Sequence, residues 1–199
     1  MSRIVLATRN PHKVAEVERI LTAAGAPIDL VGIDDLPPAI PDVAETGSTF
    51  AENALLKARA VAATAGLPAI ADDSGLCVDA LNGMPGVLSA RWAGSHGDDQ
   101  ANLDLVLDQL ADVPAGRRGA QFVCVVALAQ PNGDAETFTG SVVGTLTKQR
   151  RGKGGFGYDP VFVPEGYSVT TAEMSASEKD AISHRGMALR ALAAGMSAG

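Results

Sequence analysis

RIVLATRNPHKVAEVERILTAAG, residues 3–25, reads as a strand, a turn and an amphipathic helix in direct succession. Ile4, Val5, Leu6 and Ala7 form a short apolar run, which suits a buried strand over Arg3 to Thr8. Asn10-Pro11 supplies an N-cap followed by the one residue that needs no amide partner at the first helical position. Val14, Val17, Ile20, Leu21 and Ala24 then recur at helical spacing, and Gly25 stands where a helix ends on a left-handed residue. Ile28 to Ile33 is a second apolar run, so the chain opens as strand, helix, strand.

The same alternation continues outward. A Pro-rich loop, Leu36 to Pro41, leads to Thr49-Phe50-Ala51-Glu52, which has capping-box spacing. The spacing predicts an Ala-rich helix from there to Gly66. Ala69-Ile70-Ala71 is a short apolar strand that ends at Asp72-Asp73-Ser74-Gly75. Asp98 to Val113 is a further amphipathic helix, with Leu103, Val106, Leu107 and Leu110 on one face. Phe122 to Ala129 and Thr137 to Leu146 flank Pro131-Asn132-Gly133-Asp134, a hairpin signature. A strand at Val161 to Val163 and a helical region from about Ser175 to Ala194 complete the chain. Helices alternate with strands and then a hairpin intervenes, which is the pattern of an α/β fold on a mixed sheet. There is no internal repeat and no separating linker, so residues 1–199 are expected to form a single domain.

Composition narrows the function. The net charge of −7 argues against a nucleic-acid binder, whose footprint is a broad basic face. The longest apolar runs fall far short of the ~20 residues that span a bilayer. Cys77 and Cys124 lie alone in apolar strands with no C-x-x-C, as expected of thiols in a reducing, cytoplasmic setting. Positive charge is gathered locally: Lys148, Arg150, Arg151 and Lys153 crowd one Gly-rich stretch that suits a small polyanion or a solvated loop equally well.

Four segments carry candidate chemistry. Thr8-Arg9-Asn10-Pro11-His12-Lys13 places a lysine in the first turn of a helix, where the amide dipoles already favour an anion. Asp72 and Asp73 adjoin at a strand end. Neighbours on a strand point to opposite sides, so one carboxylate is expected to face a site and the other to serve the structure, and a hard divalent cation would offset their repulsion. Gly152 to Gly157 spells G-x-G-x-x-G, but Pro160 and a strand follow where a dinucleotide fold needs a helix. The better reading is a loop that lets backbone approach a flat ligand, with Phe156 or Tyr158 as the stacking face. Ser175 and Glu178 have capping-box spacing; Lys179, His184 and Arg185 share no helical face, so a helix break near Ser183 is needed if they serve one site.

In this order, six stretches resemble the inosine triphosphate pyrophosphatase (RdgB-type) family. They are Val5-Leu6-Ala7-Thr8-Arg9-Asn10 with Lys13; Glu45-Thr46-Gly47-Ser48-Thr49-Phe50 with Glu52-Asn53-Ala54 and Lys57; Ala71 to Leu76; Pro85-Gly86 with Ser89-Ala90-Arg91; Gly154 to Pro160; and Glu178-Lys179 with Ser183-His184-Arg185-Gly186. The resemblance implies Mg²⁺-dependent hydrolysis of ITP, dITP and XTP to monophosphate and pyrophosphate. It also implies two lobes around a long twisted sheet with a central cleft, and a homodimer. By the same resemblance Asp73 is metal ligand and base, with Glu45 as second acidic ligand and Asp42 as the alternative. Thr8, Arg9, Asn10, His12, Lys13, Ser74 and Lys179 would contact the triphosphate, with Lys57 and Arg91 as further phosphate contacts. Phe156, Gly157, Tyr158, Asp159, His184 and Arg185 would form the base pocket. Arg9 departs from the pattern, standing where the family commonly has Gly. Two other readings stay open: a septum-inhibitor-type pyrophosphatase, which should lack the Ser-His-Arg segment, and a non-catalytic nucleotide-binding regulator. Whether Asp73 or a metal-bound hydroxide is the direct base is left open by the residues.

Overall fold

The computed structural model describes residues 2–26, 28–36 and 40–198. Pro37, Pro38 and Ala39, which belong to the expected Pro-rich loop, lie outside the described residues. Six strands form one mixed sheet in the order β2-β1-β3-β4-β5-β6. They are β1 (Ser2–Leu6), β2 (Ile28–Gly32), β3 (Ala69–Val78), β4 (Gly119–Ala129), β5 (Ala135–Leu146) and β6 (Phe162–Pro164). The helices are α1 (Pro11–Ala23), α2 (Phe50–Ala65), α3 (Asp99–Gln109), α4 (Ala176–Ile182) and α5 (His184–Ala198). β1 pairs in parallel with both β2 and β3, whereas β5 and β6 are antiparallel.

Local sequence signals account for most boundaries. Asn10 Oδ1 caps α1, and Thr49 and Glu52 close the capping box of α2. That helix stops at Gly66, which takes the left-handed conformation at φ 64°. The hairpin closes through Gln130 N–H to Asp134 O at 2.8 Å. Ser183 adopts extended backbone between α4 and α5, which is the expected break. One expectation fails. The strand does not end at Ala71 but runs on through Asp72-Asp73-Ser74-Gly75 to Val78. Turn chemistry is overridden because both carboxylates find cations, one on each face of the sheet.

The chain divides into two compact units, and the division falls within β3, β4 and β5. The first comprises Met1–Asp73, Cys124–Gly140 and Arg185–Gly199. Its sheet is covered on both faces, and strand alternation sorts side chains between them. Val5, Ala7, Ala69, Ala71, Val125 and Ala127 pack with Ala54, Ala58, Val61 and Ala62 of α2. Ile4, Leu6, Ile70, Cys124 and Val126 pack with Val17, Ile20 and Leu21 of α1 and with Ala188, Leu189 and Leu192 of α5. Small residues on the α2 side let that helix approach the sheet closely. Leu189 and Leu192 are fully buried, so truncating either to Ala costs about 2–5 kcal/mol.

The second unit comprises Ser74–Val123 and Ser141–His184. Its core joins Leu76, Val78, Phe122, Leu146, Val161 and Phe162 to Leu103, Val106 and Leu110 of α3. Arg118 is buried there. Its guanidinium donates to three carbonyls, Leu110 O, Leu146 O (3.0 Å) and Thr147 O (2.9 Å), tying the end of α3 to the end of β5. Gly75 has no room for a side chain, because a Cβ would overlap Gly86 O and Ser89 Oγ.

Candidate active site

The alternation that sorts the apolar residues also separates the two aspartates. Within the first unit Ile70 and Asp72 of β3 face α1 and α5, so Asp72 meets Lys13 Nζ at 2.9 Å and Arg185 Nη2 at 3.1 Å. Arg185 bonds Glu16 on α1 as well, and it is 1% exposed. Burial alone would raise the Asp72 carboxyl, but Lys13, Arg185 and Lys57 outweigh it and hold the group well below the usual carboxylate range. Asp72 therefore stays ionised, and its charge serves to aim two cations.

Ala69, Ala71 and Asp73 face α2, and Asp73 meets that helix at Asn53 and Lys57, one turn apart. Asn53 Nδ2 donates to Asp73 Oδ2 at 3.1 Å, while its Oδ1 accepts from Gly47 N–H at 2.8 Å. Lys57 Nζ lies 2.6 Å from Glu45 Oε1 and 3.5 Å from Asp73 Oδ1. The lysine is shared and sits closer to Glu45, so it does not offset the burial of Asp73. Burial and the nearby Glu45 charge push the Asp73 carboxyl up against the pull of Lys57 and Lys13. Lys57 itself is drawn down by burial, but Asp73, Asp72 and Glu45 together raise it.

Asp42 is not part of this cluster. It pairs with Arg9, which also holds Asp34 at 2.8 Å and Ile40 O at 2.6 Å. Of the two acids considered beside Asp73, the structure brings Glu45 to the shared lysine. Arg9 is thereby occupied by acids of its own unit. The start of α1 is capped as the Asn10-Pro11 pair predicts. Thr8 Oγ1 accepts from Asn10 N–H, and Asn10 Oδ1 accepts from His12 and Lys13 N–H at 3.0 and 3.3 Å. The first-turn amides are capped internally, so an anion here would be met by side chains and by the helix dipole. Lys13 is partly buried and His12 is exposed.

In the second unit the Gly-rich loop is built around Asp159, which is buried. Its Oδ2 accepts from Phe156 N–H at 2.9 Å and from Lys179 Nζ at 2.6 Å, and its Oδ1 accepts from the Thr171 hydroxyl at 2.8 Å. Lys179 Nζ also stands 5.0 Å from the centre of the Phe156 ring. Tyr158 is not available as a stacking face. It is buried in the core, its hydroxyl donates to Ser89 O at 2.8 Å, and burial together with Asp99 pushes its pKa up. Phe156, half-buried, is the aromatic that remains. His184 stacks on Phe122 with ring centres 4.8 Å apart and lines a cavity of about 10 Å³ with Asp159, Thr171, Lys179 and Ser183. That volume suits about one water and is not a base-sized slot.

Lys179, expected as a triphosphate contact, meets Asp159 and Phe156 of the Gly-rich loop. Arg185, read as a base contact, is placed with Asp72 and Glu16 in the first unit, while His184 belongs to the second. Ser74 lies on β3, half-buried, and Gly157 takes φ 59°. Two of the four cations of the basic run meet acids: Arg150 pairs with Asp104 and Arg151 with Glu173. Sequence reasoning gave no role to Asn53 and missed Glu16. Asn53 had a signal, a polar residue one turn before Lys57 on an otherwise apolar helix face.

Among the described residues no group of three or more His, Cys, Asp or Glu is arranged to hold a metal. Two carboxylates meeting at one ammonium still suit Mg²⁺, which uses one or two protein carboxylates and completes its shell with water and phosphate oxygens. Asp73 and Glu45 are that pair.

The chain is 62% identical over 192 residues to a dITP/XTP pyrophosphatase of Streptomyces coelicolor, covering 96% of each protein. Its fold matches a HAM1 protein from Coxiella burnetii with a TM-score of 0.90 at 42% identity, covering all of both chains. It matches a nucleoside-triphosphatase / dITP/XTP pyrophosphatase from Mycobacterium abscessus with a TM-score of 0.77 at 52% identity, over 96% of this chain and 97% of that one. The sequence model of the Ham1 family spans residues 4–195, and the chain belongs to that family.

Proposed function

We propose that this protein hydrolyses deaminated purine nucleoside triphosphates, ITP, dITP and XTP, to the monophosphate and pyrophosphate. The observation that carries the reading is the convergence of Asp73 and Glu45 on one cation, Lys57, opposite Asp72 and its own cation, Lys13. Transfer at phosphorus needs positioning and charge neutralisation more than covalent chemistry, and these residues supply both. The pyrophosphatase names of the relatives support the substrate class.

In this reading Asp73 and Glu45 hold Mg²⁺, which when bound neutralises phosphate oxygens and acidifies water. Lys13, aimed by Asp72, contacts the triphosphate, as do Thr8, Asn10, His12 and Ser74. Lys57 follows the charge that develops on the leaving group. The water oxygen bonds to phosphorus, the bond to the α–β bridging oxygen breaks, and pyrophosphate leaves with that electron pair. The water proton passes to Asp73, the carboxylate that Asn53 Nδ2 orients. Phe156 stacks on the base. Hypoxanthine and xanthine offer an acceptor oxygen at position 6 where adenine has an amino donor. Donors from His184 or the loop amides therefore meet a donor when adenine binds.

A homodimer and a cytoplasmic setting belong to the same reading; both cysteines are free, and among the described residues no helix is long and apolar enough to cross a membrane.

Two measurements test it. Pyrophosphate release from dITP, XTP, dATP and dGTP with Mg²⁺ should favour dITP over dATP by roughly 10⁴-fold in kcat/KM, as buried polar pairing allows. Equal efficiency on dATP and dITP would refute the base contacts, and no release at all would point to a regulator. Lys13→Ala should raise KM for dITP by about ten-fold or more, the loss of a charge-assisted contact worth roughly 1.5–3 kcal/mol, while nucleoside binding stays unchanged. An unchanged KM would remove Lys13 from the phosphate site.

A further inference from the structure

Helix α3 begins with two aspartates, and one of them is not needed by the helix. Asp98 is the cap, its Oδ1 accepting from Ala101 N–H at 3.0 Å. Asp99, the first residue of α3, sends its Oδ2 across 58 positions of sequence to Gly157 N–H at 2.8 Å. The amide before it, Phe156 N–H, is held by Asp159 Oδ2 at 2.9 Å. Two successive amides, those of Phe156 and Gly157, are therefore tethered by carboxylates, one from within the loop and one from α3.

The tethers matter because two glycines flank the phenylalanine. Gly155 and Gly157 flank Phe156 and both take positive φ, 68° and 59°, a region that glycine enters as one of many options. Selecting one conformer from that ensemble costs backbone entropy, and hydrogen bonds must offset it. On the C-terminal side Tyr158 is anchored in the core through its hydroxyl to Ser89 O. On the N-terminal side Asp159 holds the phenylalanine amide and, through Lys179, the cation over its ring. Gly157 between these anchors has Asp99.

We infer that Asp99 is a positioning residue for base recognition, fixing the Gly157 peptide so that the Phe156 ring is presented at one angle. This rests on the reading of Phe156 as the face on which the base stacks. An acceptor is required at this point, and a negative charge is not.

The test compares Asp99→Ala with Asp99→Asn, whose amide oxygen still accepts. Asp99→Ala should raise KM for dITP about five- to ten-fold with kcat within about two-fold, the size of one lost hydrogen bond. Inhibition by inorganic tripolyphosphate, which has no base, should be unchanged. Asp99→Asn should stay within about two-fold of the wild type on every measure. Hydrogen exchange of the segment 155–158 should quicken in Asp99→Ala and not in Asp99→Asn. An unchanged KM in the alanine variant, equal damage from asparagine, or a parallel rise in the tripolyphosphate constant would overturn the assignment. The exchange measurement stands whether or not dITP is the substrate. A wild type that releases no pyrophosphate therefore refutes the proposed function alone, whereas unaltered exchange refutes the role of Asp99.

Discussion

Asp73→Asn is expected to give a protein at least as stable as the wild type whose turnover of dITP falls by about a thousand-fold at saturating Mg²⁺, the middle of the range for a lost base. The stability half follows from the position of the carboxyl. Burial and Glu45 raise its pKa, so the ionised form is worse off folded than unfolded, and a neutral amide relieves that cost. The replacement keeps its neighbours satisfied. An asparagine oxygen can still accept from Asn53 Nδ2, and Lys57 keeps Glu45 at 2.6 Å. The activity half follows from what the amide lacks, a charge for the cation and a site for the water proton. Stability and activity should thus move apart, the mark of strain held at a functional site. Near-normal kcat, or a melting temperature several degrees lower, would remove Asp73 from the role of metal ligand and base.

Arg185→Ala has the second large expected effect, and on a different measurement. The guanidinium is 1% exposed and bridges Asp72 on β3 to Glu16 on α1. Burial works against the charge, but Asp72 and Glu16 keep it firmly protonated. Taking it away leaves two buried carboxylates to share what remains of the network, a loss of about 3–5 kcal/mol. For a chain of this size that lowers Tm by on the order of 10 °C. Lys13 loses its companion at Asp72 as well, so KM for every triphosphate should rise. The ratio of kcat/KM for dITP over dATP should hold, because the donors for the base oxygen lie elsewhere. A collapse of that ratio with Tm unmoved would restore Arg185 to the base pocket and overturn the structural assignment.

Much of the fold is legible in the residues alone. The amphipathic spacing of Val14, Val17, Ile20 and Leu21, the caps at Asn10, Thr49 and Ser175, and the hairpin at Pro131 to Asp134 are local signals. Each is decided by residues within a few positions of one another, and the structure bears them out. The opposite orientation of Asp72 and Asp73 is local too, since the pleat alone sends neighbours to opposite faces. Belonging to the Ham1 family was legible from six stretches in register.

What each carboxylate meets was not local. Asp72 finds Arg185 from 113 residues away, and Asp73 finds Asn53 from 20. Only the packing of α1, α2 and α5 on the sheet decides those pairs. The same holds for the extent of β3. Asp-Asp-Ser-Gly favours a turn while its charges are solvated, and it becomes strand once cations on both faces neutralise them. Tyr158 and Phe156 are alike in the sequence, and burial in the second unit alone makes one a core residue and leaves the other half-exposed. The sequence by itself determined which elements form and which residue types carry charge. Tertiary structure decided which charges meet, because electrostatic pairing depends on distance in space and a one-dimensional pattern carries no distance beyond its own helix turn or strand pleat.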